Sequence, residues 1–218
     1  MTPPDLRLIV ITDSRLAGPR GIVDTVRAAL AAGAPAIQLR DKDATPRQLV
    51  ELARILRPLT RAAHALLFVN DRLDIALASG ADGVHLGPDD IPLSAARSLA
   101  PAPFLIGCSA DDPARALSLE HEGASYIGCG AVFGTATKDV GGEHIGIARL
   151  EDVVRAVAIP VIAIGGVNAT NIGEIARTGA AGAAVVSAVM ATPQPGVSTA
   201  ELLRGWDAGG PGGRKGRN

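Results

Sequence analysis

Two apolar runs in this sequence stop on carboxylates. "LLFVNDRLD" breaks at Asn70 and Asp71, and "GVHLGPDD" breaks at Asp89 and Asp90. Strand interiors tolerate Asn and Asp poorly, so each pair marks an end. Asp71 and Asp90 offer hard oxygen donors with no paired His or Cys. That set suits Mg2+, which keeps its waters and bridges to a substrate phosphate. Arg40, Lys42 and Lys138 are cations of the kind that hold phosphate oxygens. Gly165–Gly166 and Ser187 offer backbone N–H groups and a hydroxyl for a second anion. Two sets of anion-binding features imply two phosphorylated small-molecule substrates.

Side chains so far apart in sequence need a scaffold that gathers them. Eight short apolar runs recur: "LRLIVIT", "AIQLR", "LLFVN", "GVHLG", "FLIGCS", "YIGCGAVF", "VIAIGG" and "AAVVSAV". They are nearly continuous rather than alternating, as in parallel strands covered on both faces. Helical patterns lie between them. In "TPRQLVELARILRPL", Thr45 suits an N-cap, Pro46 the first turn, and Leu49, Leu52, Leu56 and Leu59 share a face. "DDPARALSLEHEG" repeats the device, with Asp112 as cap and Gly123 as stop. "STAE" predicts that the final helix opens at a Ser198–Glu201 capping box.

Eight such units point to one α/β domain, a (β/α)8 TIM barrel over residues 1–207. An open doubly wound sheet would need a Gly-rich fingerprint after an early strand, and "ITDSRLAG" is not one. Residues 208–218 form a Gly-rich tail expected to be disordered. Chemistry in such a barrel sits at the C-terminal ends of the strands. Those ends carry Thr12–Asp13, Arg40, Lys42, Asn70–Asp71, Asp89–Asp90, Ser109, the "GTATK" loop, Gly165–Gly166 and Val186–Ser187. The other ends carry nothing comparable.

Composition excludes several classes of function. The 218 residues have a formal net charge of −1 and only five aromatic side chains, so nucleic acid is not an expected partner. No run approaches the roughly 20 apolar residues of a membrane span. The N-terminus lacks a basic-then-apolar signal pattern, and two cysteines outside any metal-ligand spacing fit a reduced, cytoplasmic setting. A homo-oligomer is compatible with the sequence. Simpler roles compete for several residues. Asn70 could be a helix cap, Arg40–Asp41 a surface ion pair, and Gly165–Gly166 a tight turn. His85, inside an apolar strand, reads as a packed barrel histidine, and Cys108 and Cys129 read as small core residues.

With those residues in view, the sequence resembles the thiamine phosphate synthase family from about Leu8 to Met190. The carriers are "ITD", "IQLRDK", "VNDRLDIAL", "GADGVHLG", "IGCS", "YIGCGAVFGTATK", "IPVIAIGG" and "GAAGAAVVSAV". The resemblance implies a Mg2+-dependent transferase. It would join an aminopyrimidine-methyl diphosphate to a hydroxyethylthiazole phosphate, releasing thiamine phosphate and pyrophosphate. Gln38, Leu39, Arg40, Asp41, Lys42, Asn70, Ser109 and Lys138 would meet the pyrimidine diphosphate. Thr135, Ala136, Thr137, Gly166, Val186 and Ser187 would meet the thiazole phosphate, and Asp71 and Asp90 the Mg2+. Arg40, Lys42 and Lys138 would act in catalysis. Pro88 and Gly134 depart from the residues usual in the family. A sister family on the same barrel isomerises a thiazole carboxylate phosphate and tends to lose the Asn–Asp pair and the Thr-x-Thr-Lys stretch. Both are present here. A non-catalytic binder of thiazole or thiamine phosphates would have no need of Asp71 and Asp90 together.

Overall fold

A computed structural model describes residues 4–134 and 144–210. Its first half runs β1 (Leu8–Ile11), α1 (Ser14–Ala17), α2 (Gly21–Ala31), β2 (Ala36–Leu39), α3 (Pro46–Ala62), β3 (Leu66–Asn70), α4 (Leu73–Ser79) and β4 (Gly83–Leu86). The second half runs α5 (Leu93–Leu99), β5 (Leu105–Ser109), α6 (Pro113–His121), β6 (Tyr126–Cys129), α7 (Gly146–Ala156), β7 (Val161–Ile164), α8 (Ile172–Ala176), β8 (Gly182–Val185), α9 (Ser187–Met190) and α10 (Pro195–Gly209). The eight strands pair in sequence order, and β8 returns to β1 to close the barrel. Every ladder is parallel.

Strand alternation splits the core in two. Leu8, Val10, Ile37 and Leu39 pack outward under the helices. Ile9, Ile11, Ala36, Phe68, Tyr126, Ile162 and Ala184 fill the barrel. The interior is crowded, and glycines make room for its rings. A Cβ on Gly107 would lie 2.0 Å from the Tyr126 ring, and one on Gly128 would lie 2.7 Å from His85. Cys108 and Cys129 are buried in the outer layer, and burial pushes their thiols up to about 11 and about 12.

The helix starts mostly follow their caps. Thr45 and Gln48 form a reciprocal capping box on α3, with Pro46 in the first turn. The Asp112 carboxylate accepts the Ala114 and Arg115 N–H groups on α6. The last helix departs from expectation. It begins at Pro195, not at a Ser198 cap, because Pro195 already has the φ of a first turn. The Ser198 N–H bonds the Gln194 carbonyl and its hydroxyl turns to Thr192, so it is an ordinary helical residue. That helix also runs to Gly209, two residues into the stretch assigned to the tail. Among the described residues no helix is long and apolar enough to cross a membrane.

Candidate active site

A cavity of about 350 Å3 opens at the C-terminal mouth of the barrel. Ile9, Ile11, Ile162 and Ile164 form its apolar wall. Arg40, Lys42, Asn70 and Asp71 lie on one side, and Gly165, Gly166, Val186 and Ser187 on the other. Residues widely separated in sequence therefore share one mouth, as the barrel reading requires.

Strand alternation decides which residues of "IQLRDK" arrive there. Gln38, Arg40 and Lys42 line the cavity. Leu39, fully buried, points outward into the helix layer. The Asp41 carboxylate turns away to accept the Ser14 hydroxyl at 2.8 Å and the Asp43 N–H at 3.1 Å. Neither side chain is brought to the cavity wall.

Asp71 reaches the wall through an unusual backbone. Its φ is 65°, a left-handed conformation that Asp tolerates better than most side chains. Its N–H bonds the His85 carbonyl at 2.7 Å, which fixes the turn leaving β3. Asp90 is placed differently. Its Oδ2 accepts the Gly87 N–H at 2.6 Å, closing the turn after β4. Its carboxylate lines an adjoining recess of about 390 Å3 that shares Gly87, Ser109 and Gly130 with the main cavity.

On the opposite side, Gly165 and Gly166 take φ values of 96° and 65°. A Cβ on Gly166 would meet the Gly134 carbonyl oxygen at 2.5 Å, so the loop after β7 lies tight against the chain leaving β6. The Asn171 and Asn168 side-chain amides both donate to the Gly166 carbonyl, at 3.0 and 3.2 Å, which fixes that peptide. Gly134 is the last described residue before Thr135, Ala136, Thr137 and Lys138. Those four lie outside the described residues.

His85 has more to do than pack. Its Nδ1 lies 3.1 Å from the Tyr126 hydroxyl and its Nε2 lies 3.0 Å from Ser109 Oγ. Gln38 lines the same cavity beside Tyr126. Burial holds the Tyr126 phenol far above its usual range, so it stays a neutral hydroxyl. Gln38, Tyr126, His85 and Ser109 thus form a polar line across the cavity from four strands. Reading the C-terminal ends of the strands could not find His85, which lies within β4, or Tyr126, which opens β6. The available signal was the glycines: Gly107 and Gly128 occupy inward positions of neighbouring strands, vacating space for rings.

Comparison with known proteins bears directly on this site. The thiamine monophosphate synthase family matches residues 8–189, which span all eight strands. The chain belongs to that family. A thiamine-phosphate synthase of Roseiflexus castenholzii is 46% identical over 193 residues, 88% of this chain and 85% of its own. One from Pyrococcus furiosus is 47% identical over 199 residues, 91% of this chain and 94% of its own. The solved thiamine phosphate pyrophosphorylase of P. furiosus superposes with a TM-score of 0.87 at 44% identity, covering 95% of this chain and 98% of that one. A 3-hexulose-6-phosphate synthase, at 19% identity and a TM-score of 0.66, shares the fold alone. The residues of the thiamine monophosphate synthase family match include every rim residue described above.

Proposed function

We propose that this chain joins 4-amino-2-methyl-5-(diphosphooxymethyl)pyrimidine to 4-methyl-5-(2-phosphooxyethyl)thiazole, forming thiamine phosphate and pyrophosphate. The observation that carries this reading is the two-sided mouth. Cations and a carboxylate face a glycine turn and a serine across an apolar cavity. One side suits a diphosphate, the other a monophosphate, and the apolar wall between them suits two flat heterocycles.

The reaction needs one bond broken and one formed. The bond from the pyrimidine methylene to the diphosphate oxygen breaks, and its electron pair leaves with pyrophosphate. The thiazole nitrogen lone pair forms the new C–N bond. No protein nucleophile or proton transfer is required. The aminopyrimidine ring can spread positive charge from its methylene, so departure can run ahead of attack. Arg40, Lys42 and Lys138 would stabilise the negative charge building on the leaving group. The polar line of Gln38, Tyr126, His85 and Ser109 would orient the pyrimidine, and Asn70 would assist. The isoleucine wall would exclude water from the electron-poor methylene. Thr135, Ala136 and Thr137, with Gly166, Val186 and Ser187, would hold the thiazole phosphate. The contact of Gly134 with Gly166 supports grouping these segments. The chain's remaining task is to hold both substrates in line.

Mg2+ fits the donors present. Asp71 and Asp90 would offer hard oxygen donors from the loops that leave the neighbouring strands β3 and β4. Among the described residues no group of three or more His, Cys, Asp or Glu could hold a metal on its own. Two carboxylates completed by phosphate oxygens and water are what Mg2+ takes. When bound, it would supply a Lewis acid to the diphosphate oxygens.

The test is an assay for thiamine phosphate from the two substrates with Mg2+. Asp71→Asn should keep the fold and lower turnover about 100-fold or more, since a cation ligand is lost at nearly constant volume. No thiamine phosphate from the unaltered chain would refute the activity. Full activity of Asp71→Asn across a Mg2+ titration would refute the metal assignment.

A further inference from the structure

The first βα loop sends no residue to the cavity, yet it is joined to the second βα loop almost residue by residue. Thr12 is fully buried. Its hydroxyl donates to the Arg40 carbonyl and accepts the Arg40 N–H, both at 2.8 Å. Asp13 Oδ2 lies 3.8 Å from Arg40 Nη1, with about four-fifths of each side chain buried (20% and 18% exposed). The Ser14 hydroxyl donates to Asp41 at 2.8 Å. Arg15 holds Asp43 through two bonds of 2.6 Å. Four consecutive residues thus meet positions 40, 40, 41 and 43.

We infer that Asp13 is a positioning residue for Arg40, and that Thr12–Arg15 is a splint that presets the diphosphate-binding loop. The inference rests on the reading that Arg40 holds the leaving diphosphate. An arginine side chain has many rotamers, and ordering it at the moment of binding costs affinity and rate. A carboxylate at 3.8 Å attracts the guanidinium but lies beyond hydrogen-bonding distance, so the N–H groups stay available for phosphate oxygens. Partial burial keeps that attraction from being screened away. Asp13 also caps α1 through the Leu16 N–H at 3.0 Å, so its own carboxylate is fixed before it fixes Arg40. The splint reaches Lys42 indirectly, because Asp41 and Asp43 on either side of it are both held from the first loop.

Asp13→Asn separates the charge from the cap, since Asn caps a helix as well as Asp. The expected result is a kcat about 10- to 100-fold lower, the cost of a misplaced transition-state contact. The thiazole phosphate KM should stay within about twofold and the melting temperature should be nearly unchanged. In an Arg40→Lys background the same substitution should cost about twofold or less, because the group it positions is already altered. Ser14→Ala, which leaves Asp13 and Arg40 intact, should give a smaller loss of the same kind. Equal losses from Asp13→Asn in both backgrounds would overturn the inference, as would a loss that merely tracks melting temperature. Arg40→Ala tells the two levels apart. If it abolishes turnover while Asp13→Asn matches the unaltered chain, only the splint fails. If Arg40→Ala itself is harmless, the diphosphate assignment fails and the splint with it.

Discussion

His85 is held at both ring nitrogens, and its position depends on an absent side chain. Gly128 lies directly against the ring, where a Cβ would approach Cε1 to 2.7 Å and Nε2 to 3.3 Å. The ring cannot retreat toward Tyr126, whose own ring lies over Gly107. Gly128→Ala should therefore push His85 off Ser109 with modest loss of stability, about 1–3 kcal/mol for overpacking. If the polar line orients the pyrimidine, the variant should lose about tenfold or more in kcat/KM for that substrate. An unchanged kcat/KM beside a measurable stability loss would leave His85 a packing residue, the simpler reading its sequence context suggested. The same scale shows why the rim was legible and the interior was not. Arg40, Asn70, Asp71 and Ser187 interrupt apolar runs, and interruption is visible in a sequence. Leu39 and Asp41 adjoin true rim residues in sequence, but period-two alternation sends them the other way. His85 and Tyr126 interrupt nothing, because a barrel interior accepts a polar ring when its partners are already there.

The αβ loops at the opposite end of the barrel have a different task from the βα loops. Arg57 on α3 grips Asp82 through two bonds of 2.7 Å, and Asp82 also accepts the Leu67 N–H at 2.8 Å. Two units later the pattern returns. Arg97 on α5 reaches the Phe104 carbonyl at 2.7 Å and the Ser125 hydroxyl oxygen at 3.1 Å, and that oxygen accepts the Ile106 N–H at 3.0 Å. Each clasp ties a helix to a strand start at a point far from the cavity. Asp82→Asn should cost about 2–3 kcal/mol, because it leaves a largely buried guanidinium without its carboxylate. Urea unfolding should show this as a lower midpoint, while KM for both substrates stays as before. A changed KM would mean that this end communicates with the mouth. Element existence was readable because the strands are short, nearly continuous apolar runs. The clasps were not, since an Arg on a helix is ordinarily solvated and only the fold brings Asp82 or Ser125 beneath it. The misread start of α10 has a similar cause. Ser198 and Glu201 make a valid local signal, and Pro195 starts the helix before it can act.

At the scale of the whole molecule, a closed barrel must join its last unit to its first. The β8–β1 ladder makes the join inside, with Val185 opposite Val10. Outside, α10 lies on α8 and reaches α2 across the seam. The contact with α8 is unusually close. Gly173 and Gly209 meet backbone to backbone, so that a Cβ on Gly209 would lie 2.3 Å from the Gly173 carbonyl oxygen. Trp206, only 8% exposed, fills the adjoining space, and Asp207 pairs with Arg7 ahead of β1 at 2.9 Å. The packed helix therefore continues past residue 207, to Gly209. A chain ending at Gly210 should match the full chain in melting temperature and turnover. The seven residues beyond Pro211 are Gly, Arg, Lys and Asn, with no apolar side chain to bury. A chain ending at Gly205 should behave differently. Losing the Trp206 contacts costs about 3 kcal/mol or more, which for a domain of this size lowers the melting temperature by about 6–12 °C. Turnover measured well below that temperature should be preserved, because no residue of α10 lines the cavity. Equal stability of the two truncated chains would show that the seam is closed by β8 and β1 alone.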